Sequence, residues 1–501
     1  GIADREAPPK PFLGTGTGET ALYTLADTVP PQVVLLRPAP GATLRAFAEV
    51  EVTFSEAVSG VMASNLLLNG VPARKVTGSL AGPYVFEFTP PASNGLLQLA
   101  WATNQNIRDF ASAQNRFAGG GWSYALDSAA PEGSVVINEI MYHPASENTR
   151  EEFIELFNRS AVPVNLTGWQ ITGGVDFTFP AAAISAGGYL VVAADLAAFQ
   201  AKYPTVTNVL GGWTGRLSNS DDDLRLRNAL GDVVNRVHYA TEGDWAIRQR
   251  GPNDLGTRGW EWFAAHDGNV INTSTGQNEG NRSLELMNPA LPSDNGQNWA
   301  ASLPANGTPG QRNSTATNNV PPLIYDVAHF PPVPKSTEPV TISARVADEV
   351  PGVLVQVFYR DASTVSPPDF ASATLFDDGL HGDGLAGDGV YAAQLPALPN
   401  RTIVEYYLAA TDDDGATRTW PAPARLETGV FVQQANAAYQ VDDEVYTGGQ
   451  PIYRLVLTAA ELAAFDSINR NSDAEMNATF ISVDGVDTKV RHNCGMRIRG
   501  A

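Results

Sequence analysis

Apolar and polar residues alternate with a period of two in short runs along much of the chain. Because every second side chain of such a run lies on one face, each run predicts a half-buried β-strand. The clearest runs are Val50–Phe54, Tyr84–Phe88, Val340–Val346, Val353–Tyr359 and Val404–Ala410. Asn69-Gly70 and Asn94-Gly95 favour tight turns between apolar runs. The alternation predicts a mainly β fold, a string of antiparallel β-sandwich domains.

The pattern changes in the last part of the chain, where a helix is predicted among strands. Tyr453–Leu457 alternates as a strand, and Thr458 is placed to cap a helix over Ala459–Ile468. Ala478–Val483 and Val490–Ala501 then return to strand-like sequence. We therefore predict a small α+β piece at the C-terminus.

Proline-rich and polar stretches divide the chain into five parts. Pro30-Pro31 opens the first complete part, and the polar stretch Asn313–Val320 is predicted to be a linker between two later parts. The predicted parts are a remnant or linker strand at 1–28 and four domains at 29–128, 134–315, 321–435 and 440–501. The last of these is expected to be incomplete.

The part at 134–315 carries the most specific pattern. Its opening, Val135–Trp169, reads VVINEIMYHPASENTREEFIELFNRSAVPVNLTGW and predicts two strands and a turn. Later segments of the same pattern are Gly187–Val192, Leu217–Val234 and Arg282–Gly310. Together they resemble the lamin-tail domain, an immunoglobulin-like β-sandwich found in bacterial surface proteins. The resemblance implies a scaffold fold and assigns no chemistry.

The neighbouring parts resemble other modules of secreted and surface proteins of bacteria. VTFSEAVSGV at Val52–Val61 resembles immunoglobulin-like modules, and DDGLHGDGLAGDGVY at Asp377–Tyr391 resembles a loop of such domains. These resemblances imply immunoglobulin-like domains at 29–128 and 321–435.

The end of the chain resembles a third family. The strand–helix–strand order followed by VRHNCGMRIRGA at Val490–Ala501 resembles the N-terminal edge of the CotH-type family of spore-coat protein kinases. The resemblance implies an incomplete CotH-like domain at 440–501. No residue for ATP phosphates, magnesium or a catalytic base follows, so no catalytic residue is carried over and this chain is predicted not to be an enzyme. The prediction leaves open a full-length protein that continues into a kinase-like domain.

Charge, apolar run length and cysteine content limit the partners and compartments that are expected for this chain. The 501 residues carry a net charge of −22 at pH 7, which would repel a phosphate backbone, so no nucleic-acid partner is expected. The richest apolar run, Gly187–Phe199, is too short to cross a bilayer and contains Asp195, so no membrane insertion is expected. Cys494 is the only cysteine, which excludes an intrachain disulfide and fits either the cytosol or a bacterial surface protein. The N-terminus lacks a signal-peptide pattern, so a mature form or a fragment is expected.

The densest candidate for chemistry is the acidic loop at Asp377–Tyr391. Asp377, Asp378, Asp383 and Asp388 recur beside glycines, which permit the tight bends that bring carboxylates together. Oxygen ligands suit a hard cation, so these four residues are a candidate calcium site and calcium is the candidate cofactor. The alternative is an Asx-turn loop whose carboxylates accept hydrogen bonds from backbone amides.

A second candidate is the irregular stretch Gly243–Gly296, which holds Trp245, Trp260 and Trp262. Flat aromatic rings stack on the faces of sugars, so glycans are candidate partners. The alternative is a long loop that is pinned by its own aromatic side chains. The latter interpretation is the favoured one.

Other catalytic patterns are sparse. The chain contains no His-Glu-x-x-His and no Gly-x-Ser-x-Gly. Four ionisable residues lie close together in the sequence: Glu139, His143, Glu152 and Glu155. They could form a metal or hydrolytic site, but we favour the interpretation that they stabilise the fold. The glycine-rich Gly14–Thr20 lacks the Lys-Ser/Thr of a phosphate-binding loop.

These observations favour an extracellular or cell-surface protein with a structural, adhesive or assembly role. Two alternatives stay open: the non-catalytic N-terminal arm of a CotH-type protein kinase, and a carbohydrate-binding surface module. Exposed edge strands such as Tyr453–Leu457 or Val490–Ile498 can pair with another chain. We therefore also expect self-association into a filament or surface layer.

Overall fold

The computed structural model of this chain describes residues 28–111, 114–267, 282–445, 451–483 and 488–498. Almost all regular structure in these residues is antiparallel β-sheet, which confirms the predicted mainly β fold. The chain divides into two compact units, Gly1–Ala129 and Ala130–Ala501. The glycine-rich Gly14–Thr20 lies outside the described residues. No helix among the described residues is long and apolar enough to cross a membrane.

The first unit is a two-sheet sandwich. Its strands are β1 (Val33–Arg37), β2 (Thr43–Leu44), β3 (Glu49–Phe54), β4 (Val58–Ser59), β5 (Leu66–Leu68), β6 (Val71–Pro72), β7 (Lys75–Thr77), β8 (Tyr84–Glu87), β9 (Gly95–Trp101), β10 (Arg108–Asp109) and β11 (Gly121–Leu126). They form a four-stranded sheet in the order β1-β3-β8-β7, a five-stranded sheet in the order β2-β11-β9-β5-β6, and the pair β10-β4. Val50, Val52 and Phe54 are buried as their alternation predicts. Phe54 packs edge-on against Phe117 in the core, with ring centroids 5.3 Å apart.

A second sandwich begins the larger unit. Its elements are β12 (Val135–Met141), β13 (Phe153–Asn158), β14 (Val164–Asn165), β15 (Gln170–Thr172), β16 (Val175–Thr178), β17 (Ala183–Ile184), β18 (Tyr189–Ala193), α1 (Leu196–Lys202), β19 (Val209–Gly211), β20 (Thr214–Gly215), β21 (Asp221–Arg227), β22 (Val233–Ala240), β23 (Ile247–Asp254), β24 (Thr257–Phe263), β25 (Leu284–Leu286) and β26 (Trp299–Ala301). The two main sheets have the orders β19-β18-β13-β12-β25-β26 and β20-β16-β15-β21-β22. Apolar residues of both sheets, among them Ile140, Leu156, Trp169 and Leu224, form one core.

The stretch predicted to be irregular contains a hairpin. Strands β23 and β24 pair over Ile247–Asp254 and Thr257–Phe263. Gln249 on β23 also pairs with Arg425, which lies far along the chain. The hairpin was not expected because Arg248 to Pro252 shows no apolar alternation, and its buried side chains find their partners in other parts of the unit.

A third sandwich follows. Its strands are β27 (Leu323–Phe330), β28 (Val340–Ala347), β29 (Leu354–Asp361), β30 (Ala371–Leu375), β31 (Val390–Leu395), β32 (Ile403–Thr411), β33 (Thr417–Trp420), β34 (Ala424–Arg425), β35 (Phe431–Val432) and β36 (Ala437–Gln440). The sheets have the orders β27-β28-β31 and β30-β29-β32-β33, with β36 paired to β32. Burial along β28 alternates strictly, as predicted from its sequence.

The last part holds β37 (Ile452–Val456), α2 (Ala459–Ser467), β38 (Met476–Val483) and β39 (Thr488–Met496). The three strands form one sheet in the order β37-β38-β39. Thr458 caps α2 as predicted, since its Oγ1 accepts the Glu461 amide hydrogen at 3.3 Å. The predicted helix end at Ile468 differs from the observed end at Ser467 by one residue.

Buried hydrogen bonds join the parts of the larger unit. The Arg248 guanidinium of β23 donates to Asn493 of β39, and the Trp260 backbone N donates to the Glu475 carbonyl at 2.7 Å. Asn313, predicted to open a polar linker, is buried and its side-chain nitrogen donates to the Asn138 carbonyl at 2.9 Å. That part of the prediction is wrong, because polar side chains in this stretch are used to satisfy buried groups of the second sandwich.

Candidate functional site

A cavity of about 790 Å³ lies within the larger unit. Five aromatic side chains line it: Trp245, Trp262, Phe263, Trp299 and Trp420. Their segments are far apart in the sequence and meet only because the second sandwich, the β23–β24 hairpin, the third sandwich and β39 are packed together. We call this space the aromatic cavity.

Two of the three tryptophans that were weighed as a sugar platform line the aromatic cavity. Trp245 and Trp262 are half-buried and lie along its wall. Trp260 does not line it, because its ring is buried against the Arg250 guanidinium, whose Cζ lies 3.7 Å from the ring centroid. The Trp260 Nε1 donates to Glu461 at 2.8 Å. Trp260 therefore holds the hairpin against α2, and its role as a sugar platform is corrected.

No local sequence pattern pointed to the other aromatic residues of the cavity wall. Trp420 is half-buried and meets the His492 ring edge-on, with centroids 5.6 Å apart. Trp299 packs beside Trp245 at 5.9 Å between centroids. Trp299 and Trp420 reach the cavity only through sheet packing, so spacing along the chain could not identify them.

Arg248 is the polar residue most deeply set into the cavity wall. Its side chain is 2% exposed, and its Nε and Nη2 donate to Asn493 at 3.0 and 2.8 Å. The guanidinium carbon lies 4.2 Å from the centroid of the Trp262 ring, a favourable cation–π geometry. Burial lowers the pKa of Arg248. Its Nη1 is buried and has no hydrogen-bond partner among the described residues.

A second guanidinium, that of Arg418, also lines the cavity. It donates to backbone carbonyls of Pro321, Pro322 and Gln297, with the Nε to Pro322 oxygen distance 3.0 Å. Burial lowers the pKa of Arg418 to about 10, so the group stays charged at neutral pH. Asp244 is the only carboxylate among the described residues that line the cavity.

His266 fixes the floor of the cavity. Its Nε2 lies 3.0 Å from the Trp245 carbonyl oxygen, which can only accept, so Nε2 carries the hydrogen. Its Nδ1 therefore accepts the hydroxyl hydrogen of Tyr142 at 2.7 Å. Burial lowers the pKa of His266 to about 4, and the neutral ring is a structural link, not a proton donor to a ligand at neutral pH.

The aromatic cavity is suited to binding. Its walls combine flat apolar faces with a few fixed polar groups, the composition typical of small-ligand and sugar sites. The two guanidinium groups are held by backbone carbonyls or by Asn493, and no nucleophile with a positioned base is found among the described lining residues. The arrangement can orient a ligand.

The predicted calcium residues are brought together in the loop between β30 and β31, where their oxygens accept backbone hydrogens. Asp377 accepts from the amides of Gly387 and Gly389 at 2.7 and 3.0 Å, and Asp383 accepts from Gly379 at 2.6 Å. The amide of Gly379 lowers the pKa of Asp383. Each carboxylate thus closes a turn, which is the geometry of the alternative interpretation.

The other two predicted calcium ligands, Asp378 and Asp388, also accept hydrogen bonds from backbone amides. Asp378 accepts from the Leu380 amide at 2.9 Å and lies 2.9 Å from the His381 Nδ1. Asp388 accepts from the Val390 amide at 2.9 Å. Within the described ranges, no three His, Cys, Asp or Glu side chains are grouped so that they could hold a metal ion. Calcium binding stays a prediction.

Three buried glutamates form a cluster on the outer face of the six-stranded sheet. Glu139 lies opposite Glu155 on one neighbouring strand and opposite Glu285 on the other, so the three side chains share a face. Burial, together with the nearby Glu155 and Glu285, raises the pKa of Glu139 well above its usual range. We call these residues the glutamate cluster.

The glutamate cluster binds the segment that covers it. Glu139 accepts from the Thr308 amide at 2.8 Å, Glu155 from the Gly310 amide at 2.5 Å, and Glu285 from the Thr315 amide at 2.9 Å. The Gly307-Thr308-Pro309-Gly310 sequence is therefore a strap that closes the sheet face. A Cβ at Gly307 would lie 2.1 Å from the Glu139 Oε1, so this position requires glycine.

The four residues weighed as a metal or hydrolytic site are divided between different places. Glu139 and Glu155 belong to the glutamate cluster, whereas Glu152 accepts from the Leu217 amide at 3.0 Å. The ring nitrogens of His143 lie 3.0 Å from Asp267 and 3.1 Å from Glu147. Each residue has a separate structural partner, which agrees with their interpretation as residues of the fold.

Comparison with protein-family models finds a match over one segment of the chain. Residues 128–241 match the family model described as Lamin Tail Domain. This match supports the predicted lamin-tail resemblance over that segment, which includes β12 to β22. No curated protein sequence matches this chain.

Solved structures give weak global similarities. The chain is similar to a mutant of Salmonella alpha-2-macroglobulin at 10% identity, over 88% of this chain and 35% of that one, with a TM-score of 0.17. It is similar to the N-terminal eight Ig domains of Down Syndrome Cell Adhesion Molecule at 9% identity, over 94% of this chain and 49% of that one, with a TM-score of 0.14. The chain thus spans less than two thirds of either structure.

Proposed function

We propose that this protein is an extracellular or cell-surface protein, built of β-sandwich modules, with a structural and adhesive role. The observation that supports the proposal is the way the larger unit is built around the aromatic cavity. Buried bonds such as that between Arg248 and Asn493 tie distant parts of the chain together and keep five aromatic walls in place. Such an arrangement is suited to holding a ligand on a firm scaffold.

Localisation and adhesion are tested separately. Antibodies against the first sandwich are expected to label intact, unpermeabilised source cells, and purified protein is expected to adhere to those cells or their envelope fraction. Labelling only after permeabilisation would contradict the surface location. If Trp420→Ala adheres as well as the wild type, adhesion does not depend on the aromatic cavity.

The second candidate is carbohydrate binding, and the aromatic cavity favours it specifically. Half-buried Trp245, Trp262 and Trp420 offer ring faces, and guanidinium and carboxylate groups lie beside them. A glycan array with the wild type, Trp262→Ala and Trp260→Phe tests the assignment. Binding is expected to be lost in Trp262→Ala and kept in Trp260→Phe, since only Trp262 lines the cavity. Wild-type protein that retains no glycan on the array would rule this candidate out.

The CotH-type alternative rests on the terminal elements. Strand β37, the capped helix α2 and the strands β38 and β39 follow one another in the order that the resemblance implies. As the arm of a kinase-like protein, residues 1–501 alone are expected neither to bind ATP with magnesium nor to transfer phosphate. The reading frame around this sequence is the direct test, because a kinase-like core encoded next to residue 501 would support the alternative.

Self-association is proposed for the terminal sheet. Strands β37 and β39 are its two edges, and Tyr453 and Leu455 on β37 are exposed. Edge strands accept a strand from a second chain, while the net charge of −22 opposes the contact. Light scattering over a calcium titration is expected to show growth in mass, because a bound cation would reduce the repulsion. A constant monomer mass at high protein and calcium concentrations would contradict it.

A further inference from the structure

The aromatic cavity contains more positive than negative charge although the protein as a whole is strongly acidic. Its described lining residues include two guanidinium groups, Arg248 and Arg418, and one carboxylate, Asp244. His266 and His492 also line the cavity, but burial lowers their pKa values to about 4 and about 3, so both are neutral at pH 7. The cavity therefore has a net positive lining in a chain whose net charge is −22.

Arg248 has unused hydrogen-bonding capacity. Two of its nitrogens are taken by Asn493, and its Nη1 is buried without a partner among the described residues. The side chain is 2% exposed, so the unpaired Nη1 costs free energy in the folded protein. Because Nη1 is buried, the side chains around it must shift for an acceptor in the cavity to reach it and recover that free energy. The carboxylates whose charges act on Arg248 are Glu242, Glu461 and Glu475. None of these three forms an ion pair with Arg248 among the described residues.

The surroundings of the guanidinium indicate the shape of the acceptor. Trp262 stacks on Arg248, and Trp245 and Trp420 contribute further half-buried rings to the same space. Pyranose rings stack on such faces, and a volume of about 790 Å³ is in the range of pockets that hold ligands of a few rings. A buried guanidinium beside them selects an anionic oxygen, because charge-assisted hydrogen bonds are stronger than neutral ones.

We propose that the aromatic cavity binds an acidic saccharide, with pyranose rings against the tryptophans and a carboxylate or sulfate group at Arg248. This inference rests on the carbohydrate-binding candidate above and narrows it to one chemical class. Arg418 adds a second desolvated positive charge, and Asp244 limits how strongly an anion is held.

The test compares acidic saccharides with neutral twins of the same rings. Oligomers of galacturonic acid are paired with their methyl esters, and sulfated galactan oligomers, which contain no uronic acid, with their uncharged desulfated forms. At least one acidic member is expected to bind about tenfold more tightly than its twin, and its affinity is expected to fall as salt is raised. The carboxylate and sulfate pairs distinguish the two sources of negative charge.

Variants of cavity residues test whether the preference for acidic saccharides arises in the aromatic cavity. Arg248→Gln is expected to remove the preference for the acidic member. Because Arg248 also ties β23 to β39, this variant could unfold, so Asp244→Asn is the second variant. The Asp244 carboxylate interacts electrostatically with Arg418 in the cavity wall, so its replacement by an amide is expected to tighten binding of the acidic saccharide about threefold relative to binding of the neutral twin.

The outcomes separate the two proposals. Equal binding of acidic and neutral twins, with no effect of Asp244→Asn, overturns the acidic-saccharide inference and leaves carbohydrate binding intact. Absence of binding to every saccharide overturns both proposals.

Discussion

Glu155 lies on the outer face of the six-stranded sheet, where burial raises its pKa from 4.5 to about 8. The folded protein therefore keeps a proton that the unfolded chain releases. Protonated Glu155 therefore stabilises the folded state. This contribution to the free energy of unfolding is complete below pH 4.5 and is lost as the pH rises towards 8, by up to about 1.4 kcal/mol per pH unit. Denaturant unfolding of the larger unit at several pH values is expected to show this decline, and Glu155→Gln should reduce its slope.

Glu427→Gln is the control for that titration, because Glu427 is an exposed carboxylate of the same unit. It should leave the pH profile unchanged. A Glu155→Gln profile parallel to the wild type would show that Glu155 is ionised in the folded state.

The acidic loop gives a second test of individual residues. Asp383 accepts hydrogen from Gly379 and His381, and Asp388 accepts from Leu385 and Val390. Replacing both by alanine removes these turn-closing bonds, so the melting temperature is expected to fall even in the presence of a chelator. Replacing both by asparagine keeps an acceptor oxygen and should preserve more of the stability.

Calcium is assessed in the same experiment. An ion held by these carboxylates would raise the melting temperature of the wild type but of neither double variant. If the alanine variant melts like the wild type in chelator, the turn-closing role is wrong. If calcium leaves all three proteins unchanged, the loop is a turn without a resident cation.

Among the elements, the β23–β24 hairpin depends on a close backbone approach. A Cβ at Gly259 would lie 2.3 Å from the Glu475 nitrogen, so Gly259→Ala must push the hairpin away from the chain that leads into β38. The expected cost is about 1–3 kcal/mol of unfolding free energy, as for other overpacked sites. Gly133→Ala is the matched control, because its added methyl group meets no atom within 4 Å.

Urea unfolding followed by tryptophan fluorescence measures both variants. Equal stability of Gly259→Ala and Gly133→Ala would show that the hairpin is not held tightly at this point. A loss confined to Gly259→Ala would support the close packing of the hairpin on the terminal part.

The predicted and missed elements show which structural features depend only on neighbouring residues in the sequence. Strand β28 and helix α2 were predicted because an alternating run and a capping threonine act over neighbouring residues. The β23–β24 hairpin was missed because Trp260 is buried by Glu461 and Arg250, contacts that no short window contains. For the same reason the sequence indicated Trp245 and Trp262 of the cavity but not Trp420. The sequence alone could not show that Glu285 lies beside Glu139 and Glu155, because their proximity depends on the order of the strands in the sheet.

For the whole molecule, the relevant division is between Gly1–Ala129 and Ala130–Ala501. Residues 130–501, which include the three later predicted parts, form one compact unit with shared buried hydrogen bonds. Asn313 illustrates the cause, since a polar side chain that looks like linker sequence is a buried hydrogen-bonding partner of Asn138.

Differential scanning calorimetry of the full chain is therefore expected to show two transitions, one for each unit, with the larger enthalpy in the larger unit. Phe54 is a core residue of the first unit and Leu156 of the second. Phe54→Ala should lower only the smaller transition and Leu156→Ala only the larger one, each by removing about 2–5 kcal/mol of stability. Leu303→Ala, at a position that is 69% exposed, should move neither. Separate melting of the third sandwich would contradict the single larger unit, because cooperative unfolding requires that its parts lose their shared contacts together.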